Sequence, residues 1–112
     1  MTTLGALAGA LAGLGVPWRA PRRRCRRPAA GQADLARLAA DLARLAREID
    51  RVEQGHQPGK MTRLRATVAA YDDTLLCCCR TLGVRPPRER APLAAGERLD
   101  TEVALLQHGV TW

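Results

Sequence analysis

Two short clusters in this 112-residue chain carry side chains able to do acid–base or nucleophilic chemistry: Tyr71-Asp72-Asp73 and Cys77-Cys78-Cys79. Paired carboxylates catalyse when both face one substrate and their environments push their pKa values apart. Asp72 and Asp73 are neighbours on a predicted helix and diverge by about 100°, so they do not form such a dyad. Asp72 is expected to take an arginine partner such as Arg98. The three cysteines diverge in the same way, which leaves Cys25 as their one distant partner. Zinc sites want pairs such as C-x-x-C with His or Cys elsewhere, and this spacing does not supply them. The expectation is free thiols in a reducing cytoplasm, with Cys78 a small core residue. Cys25, set among arginines, is the thiol whose pKa would be lowered. His56 falls in a turn and His108 near the end of the last helix, each without a visible acid or nucleophile partner. No catalytic residue, metal ligand, cofactor or small-molecule substrate is assigned, and the chain is read as non-enzymatic.

The net charge of +7 resembles a nucleic-acid signal until it is mapped along the chain. Residues 1–31 hold six arginines and no acid, whereas residues 32–112 hold twelve bases and eleven acids. The basic character therefore belongs to the tail. Within it Arg22, Arg23, Arg24, Arg26 and Arg27, flanked by Pro21 and Pro28, have the form of a disordered arm that grips phosphates. No interleaved aromatics are present to stack on bases. The preceding apolar run, Leu4 to Val16, is too short to span a bilayer, which takes about 20 residues. Its arginines follow it, the reverse of a secretory signal, so a membrane partner is not expected. Ala, Gly, Pro and Arg make up 21 of the first 31 residues. Translated DNA upstream of a GC-rich gene has that composition too, which would place the true start after residue 31.

The elements that hold the chemistry-bearing residues are helical. Leu35, Leu38, Leu42, Leu45, Ile49 and Val52 recur with spacing 3-4-3-4-3, a heptad seam. Gly55 and the turn residues His56-Gln57-Pro58-Gly59 end it. Met61, Leu64, Val68, Tyr71, Leu75, Cys78 and Leu82 repeat the rule up to Gly83. Two equal helices on a short loop read as an antiparallel coiled-coil hairpin, about 32–54 and 60–82, with every layer of the seam apolar. At its edges Glu48 and Glu53 have signs complementary to Lys60 and Arg65. Beside the seam, on one side, runs a row of small residues: Ala36, Ala39, Ala43 and Ala46, with Ala69, Asp72, Leu76 and Cys79 on the second helix.

Arg85 to Pro92 cannot continue a helix. Beyond it Leu99, Val103, Leu106 and Val110 are spaced 4-3-4 on a short helix, about 96–108. These residues are expected to dock on the small-residue row near Cys79, with Trp112 as a lid. The fold class is all-α, organised as a tail (1–31), a hairpin (32–83), a proline-rich linker (84–95) and a C-terminal helix (96–112).

Two resemblances fail on their motifs. LARLAREIDRVEQ at 42–54 resembles the opening helix of helical chorismate mutases, but Gly55 and Pro58 end it early and the later cations do not match. The small WXG secretion substrates share the hairpin size but have a Trp-x-Gly turn that is missing here. Residues 61–112, with RLRATVAAYDDTLLCCCRTLGV and ERLDTEVALLQHGVTW, resemble a group of short helical proteins of high-GC Gram-positive bacteria. Leu64, Tyr71, Asp72, Leu75, Cys79, Leu82, Gly83, Glu102 and Gly109 carry that resemblance, which implies a cytoplasmic helical protein and no particular activity. The expected function is a protein-protein interaction module, possible self-association included, whose binding face is Ala36, Ala39, Ala43, Ala46, Ala69 and Leu76. The alternative is nucleic-acid association through the arginine arm.

Overall fold

The structure, a computed structural model, describes residues 32–112. The tail and its arginine arm lie outside the described residues. Within them the protein is all-helical, with α1 at Gln32–Gln54, α2 at Lys60–Leu82 and α3 at Ala95–Gln107. Asp34 occupies the first turn of α1 and Arg51 the last, each with the sign the helix dipole favours. The outer side of α1 carries three ion pairs at i,i+3: Asp34–Arg37, Asp41–Arg44 and Glu48–Arg51. Glu48 thus takes its partner from its own helix rather than Lys60. Pairs as exposed as these contribute less than about 1 kcal/mol each.

Glycine sets the ends of α2 and α3. Gly83 has φ +73°, the left-handed conformation that side chains resist. Its N–H donates to the Arg80 carbonyl and that of Val84 to Cys79, at 3.3 and 2.8 Å. The same double closure recurs at Gly109 (φ +91°), where the Val110 N–H reaches the Leu105 carbonyl at 3.0 Å. Val110 and Leu105 are both buried, so this stop also pins the tail of the chain to the core.

The core is not spread evenly along the hairpin. Leu38, Leu42 and Leu45 of α1 meet Tyr71, Leu75, Leu76 and Cys77–Cys79 of α2, and Leu93, Leu105 and Val110 close over them. Towards the interhelical turn the seam thins. Met61 is 56 % exposed, so the apolar seam is open to water at its last layer.

α3 departs from expectation in its facing. Its buried residues are Thr101 and Leu105. Leu99, Val103 and Leu106 are 60, 43 and 51 % exposed, and of the predicted stripe Val110 alone is buried. At 100° per residue the three lie roughly opposite the Thr101–Leu105 face. α3 is also seated on α2 alone, and no Cα of α3 comes within 8 Å of one in α1. The linker leading to it contains a cis peptide at Ala91–Pro92.

Leu42 has no exposed surface whereas Met61 is largely open. Leu42→Ala should therefore cost about 2–5 kcal/mol, and Met61→Ala no more than about 0.5 kcal/mol. Urea unfolding of the two variants checks the contrast.

Candidate functional site

The chemistry-bearing residues of α2 converge on a polar clasp under the linker and α3. Asp72 has no exposed surface. Its Oδ1 accepts a hydrogen bond from Arg98 Nε at 2.6 Å, and its Oδ2 accepts from Arg98 Nη2 and from the Leu93 N–H, both at 2.9 Å. Arg98 Nη2 also donates to the Leu93 carbonyl at 2.9 Å. One carboxylate thus fixes both the end of the linker and the first turns of α3. A bidentate, charge-assisted arrangement of this kind is strong and directional. The hydrogen bonds to Asp72 raise the Arg98 pKa, against the opposing effect of its burial.

Tyr71, one residue earlier, points to a second partner set. Its hydroxyl donates to Glu102 Oε2 at 2.6 Å and accepts from Trp112 Nε1 at 3.1 Å. Burial, then the Glu102 carboxylate, pushes the phenol well above its ordinary pKa. Trp112 packs against the core, as a lid would. At the start of α3 the Glu97 carboxylate accepts the Ala94 N–H at 2.9 Å and pairs with Arg88 at 3.0 Å. The Ala94 bond, then Arg88, lowers the Glu97 pKa. A lowered carboxylate lends stability above its unfolded pKa and loses it as pH falls through the folded value.

This arrangement suits clamping better than proton transfer. Both oxygens of Asp72 are filled by donors, and the protons of Tyr71 and Trp112 have fixed acceptors. Asp73 is half-buried and diverges from Asp72 as expected. His56 and His108 are exposed, and His108 Nδ1 lies 2.9 Å from the Ala104 carbonyl of its own helix. Among the described residues no cluster of His, Cys, Asp or Glu could hold a metal ion. A depression of about 150 Å³ lies between Cys79, Val84, Arg85, Pro87, Asp100, Thr101 and Ala104. Drug-sized ligands occupy sites of roughly 300 Å³ or more.

The cysteines divide. Cys78 and Cys79 are free and buried, and burial pushes their pKa values up to about 12 and about 11. The nearby Cys79 and Asp41 raise Cys78 further, whereas Arg80 works against the rise at Cys79. Cys77 corrects the free-thiol expectation, because it is disulfide-bonded. Its partner is not among the described residues.

The candidate binding face is also redrawn. Ala36 is exposed and Ala39, Ala43, Ala46 and Ala69 are half-buried. Leu76 has no exposed surface, so it belongs to the core and not to a binding face. Arg22, Arg23, Arg24, Arg26 and Arg27 lie outside the described residues. The Asp72–Arg98 pair was legible from the sequence. The Tyr71–Glu102–Trp112 chain was not, although its residues fall at the right ends of their elements.

Among the described residues no helix is long and apolar enough to cross a membrane. Compared with known proteins, the chain matches no family model, no curated protein and no solved structure.

Arg98→Ala strands a buried carboxylate and should cost about 3 kcal/mol or more, whereas Arg37→Ala, in an exposed pair, should cost less than about 1 kcal/mol. Chemical denaturation decides between them. The thiols give a separate check. With folded pKa values near 12 and 11, against an ordinary thiol value of 9.0, Cys78 and Cys79 should alkylate at pH 8 at least a hundredfold more slowly in the native than in the unfolded protein. Comparable rates would show that these thiols are not buried in solution.

Proposed function

We propose that this protein is a non-enzymatic helical module that binds another protein, or a second copy of itself, along the alanine row of α1. One observation carries the reading: α3 sits on α2 alone, so among the described residues no third helix is laid along Ala36, Ala39, Ala43 and Ala46. Small side chains let a second helix approach closely, since interaxial distance follows the residues at the contact. The opposite edge of α1 is a solvated row of internally paired charges. α1 therefore offers one smooth side and one charged side. The two free thiols suit a reducing compartment such as the cytoplasm, while the Cys77 disulfide suits an oxidising one. The alternative, a phosphate-gripping arm, rests on residues outside the described part.

A photo-crosslinking residue placed at Ala43 in cells that make the protein tests the proposal. It should yield a covalent adduct of discrete mass, whether the partner is this chain or another. The same probe at Arg44, on the charged side, should yield at least tenfold less. Ala36→Glu, at the exposed member of the row, should abolish the Ala43 adduct while leaving the unfolding midpoint within a few degrees. Equal adducts at both positions, or none at either, would contradict the proposal.

A further inference from the structure

α3 is mounted with its polar side inward. Arg98, Thr101 and Glu102 face α2 alongside Leu105, while Leu99, Val103 and Leu106 form a continuous stripe on the solvent side. Scattered exposed apolar residues need no explanation, but three in heptad register on one 13-residue helix form a surface that another helix can cover. We propose that this stripe is covered by the chain's own N-terminal segment, Leu4–Val16.

Four features select that occupant. The first is register. Leu4, Leu7, Leu11 and Leu14 are spaced 3-4-3. In antiparallel alignment Leu4, Leu7 and Leu11 meet Leu106, Val103 and Leu99 layer by layer, and both stretches are 13 residues long. The second is reach. The described chain begins at Gln32, which the antiparallel hairpin places at the end of the molecule where α2 finishes and α3 packs. The stretch from Val16 to Gln32 can extend about 50 Å, more than the roughly 34 Å length of α1.

The third feature is charge. With Glu97 paired to Arg88, Glu102 bonded to Tyr71 and Arg98 bound inward to Asp72, α3 keeps Asp100 as an exposed acid and turns no base outward. The first 31 residues carry six arginines and no acid. The fourth is area. Three side chains expose a few hundred Å² at most, whereas a stable dimer buries about 800 Å² per partner. A stripe this small favours a tethered segment, whose effective concentration is on the order of millimolar, over a second copy. The site is separate from the alanine row of α1, and either can fail without the other.

Hydrogen–deuterium exchange on the full chain tests the proposal. Amides of residues 4–16 should exchange at least tenfold more slowly than in a free peptide of the same sequence. Val103→Asp should return them to within about twofold of the peptide rate, and Leu7→Asp should do the same from the other side. Amides of α1 and α2 should be unchanged in both, which reports that the hairpin is still folded. Where Val103→Asp disturbs the hairpin, Leu7→Asp alone decides. Peptide-like exchange of residues 4–16 in the unaltered chain would overturn the proposal. So would protection that survives Leu7→Asp, or protection that vanishes on dilution because a second copy supplies it.

Discussion

Burying the Asp72 carboxylate on α2 is costly unless its charge and lone pairs are matched. The adjoining row of α1 is alanine, which offers no donor. The match comes from the Leu93 N–H and the Arg98 guanidinium. That requirement decides where the linker ends, which turn of α3 touches α2, and therefore which side of α3 is left facing water. Tyr71, Glu102 and Trp112 add a second anchor one residue away, and Leu93, Leu105 and Val110 supply the apolar cover around both.

The hairpin was legible because one interaction, burial of a heptad seam, determines it almost alone. Helix ends, turn and antiparallel sense follow from the leucine spacing and from Gly55, Gly59 and Gly83. The third helix was misread for the opposite reason. Its strongest periodic signal, Leu99-Val103-Leu106, is apolar, and apolar periodicity normally marks the inward side. Here an ion pair overrides it. Arg98 can reach Asp72 only when that side of α3 turns in, and the leucines then turn out. The error lay in ranking two readings, since both Asp72–Arg98 pairing and the docking of α3 near Cys79 were expected.

Tyr71, Asp72, Leu75, Cys79, Gly83, Glu102 and Gly109 have evident structural posts. Tyr71 and Glu102 bond to each other, Asp72 holds the clasp, Leu75 and Cys79 fill the core, and Gly83 and Gly109 close their helices. A pattern built from such residues specifies an architecture. The surfaces we propose for binding lie between those posts: the alanine row of α1 and the outer stripe of α3. Both follow from a third helix that contacts only one of the two helices beneath it.

The facing of α3 is the central claim, and methyl NMR of the full-length protein in solution tests it most directly. The account predicts nuclear Overhauser contacts from Leu105 to the buried methyls of α2, and none to α2 from Leu99, Val103 or Leu106. Contacts from Val103 and Leu106 to Leu75 or Leu76, with Leu105 turned to solvent, would contradict it. The ion pair would then have yielded to the apolar stripe, and the outer surface would have to be drawn again.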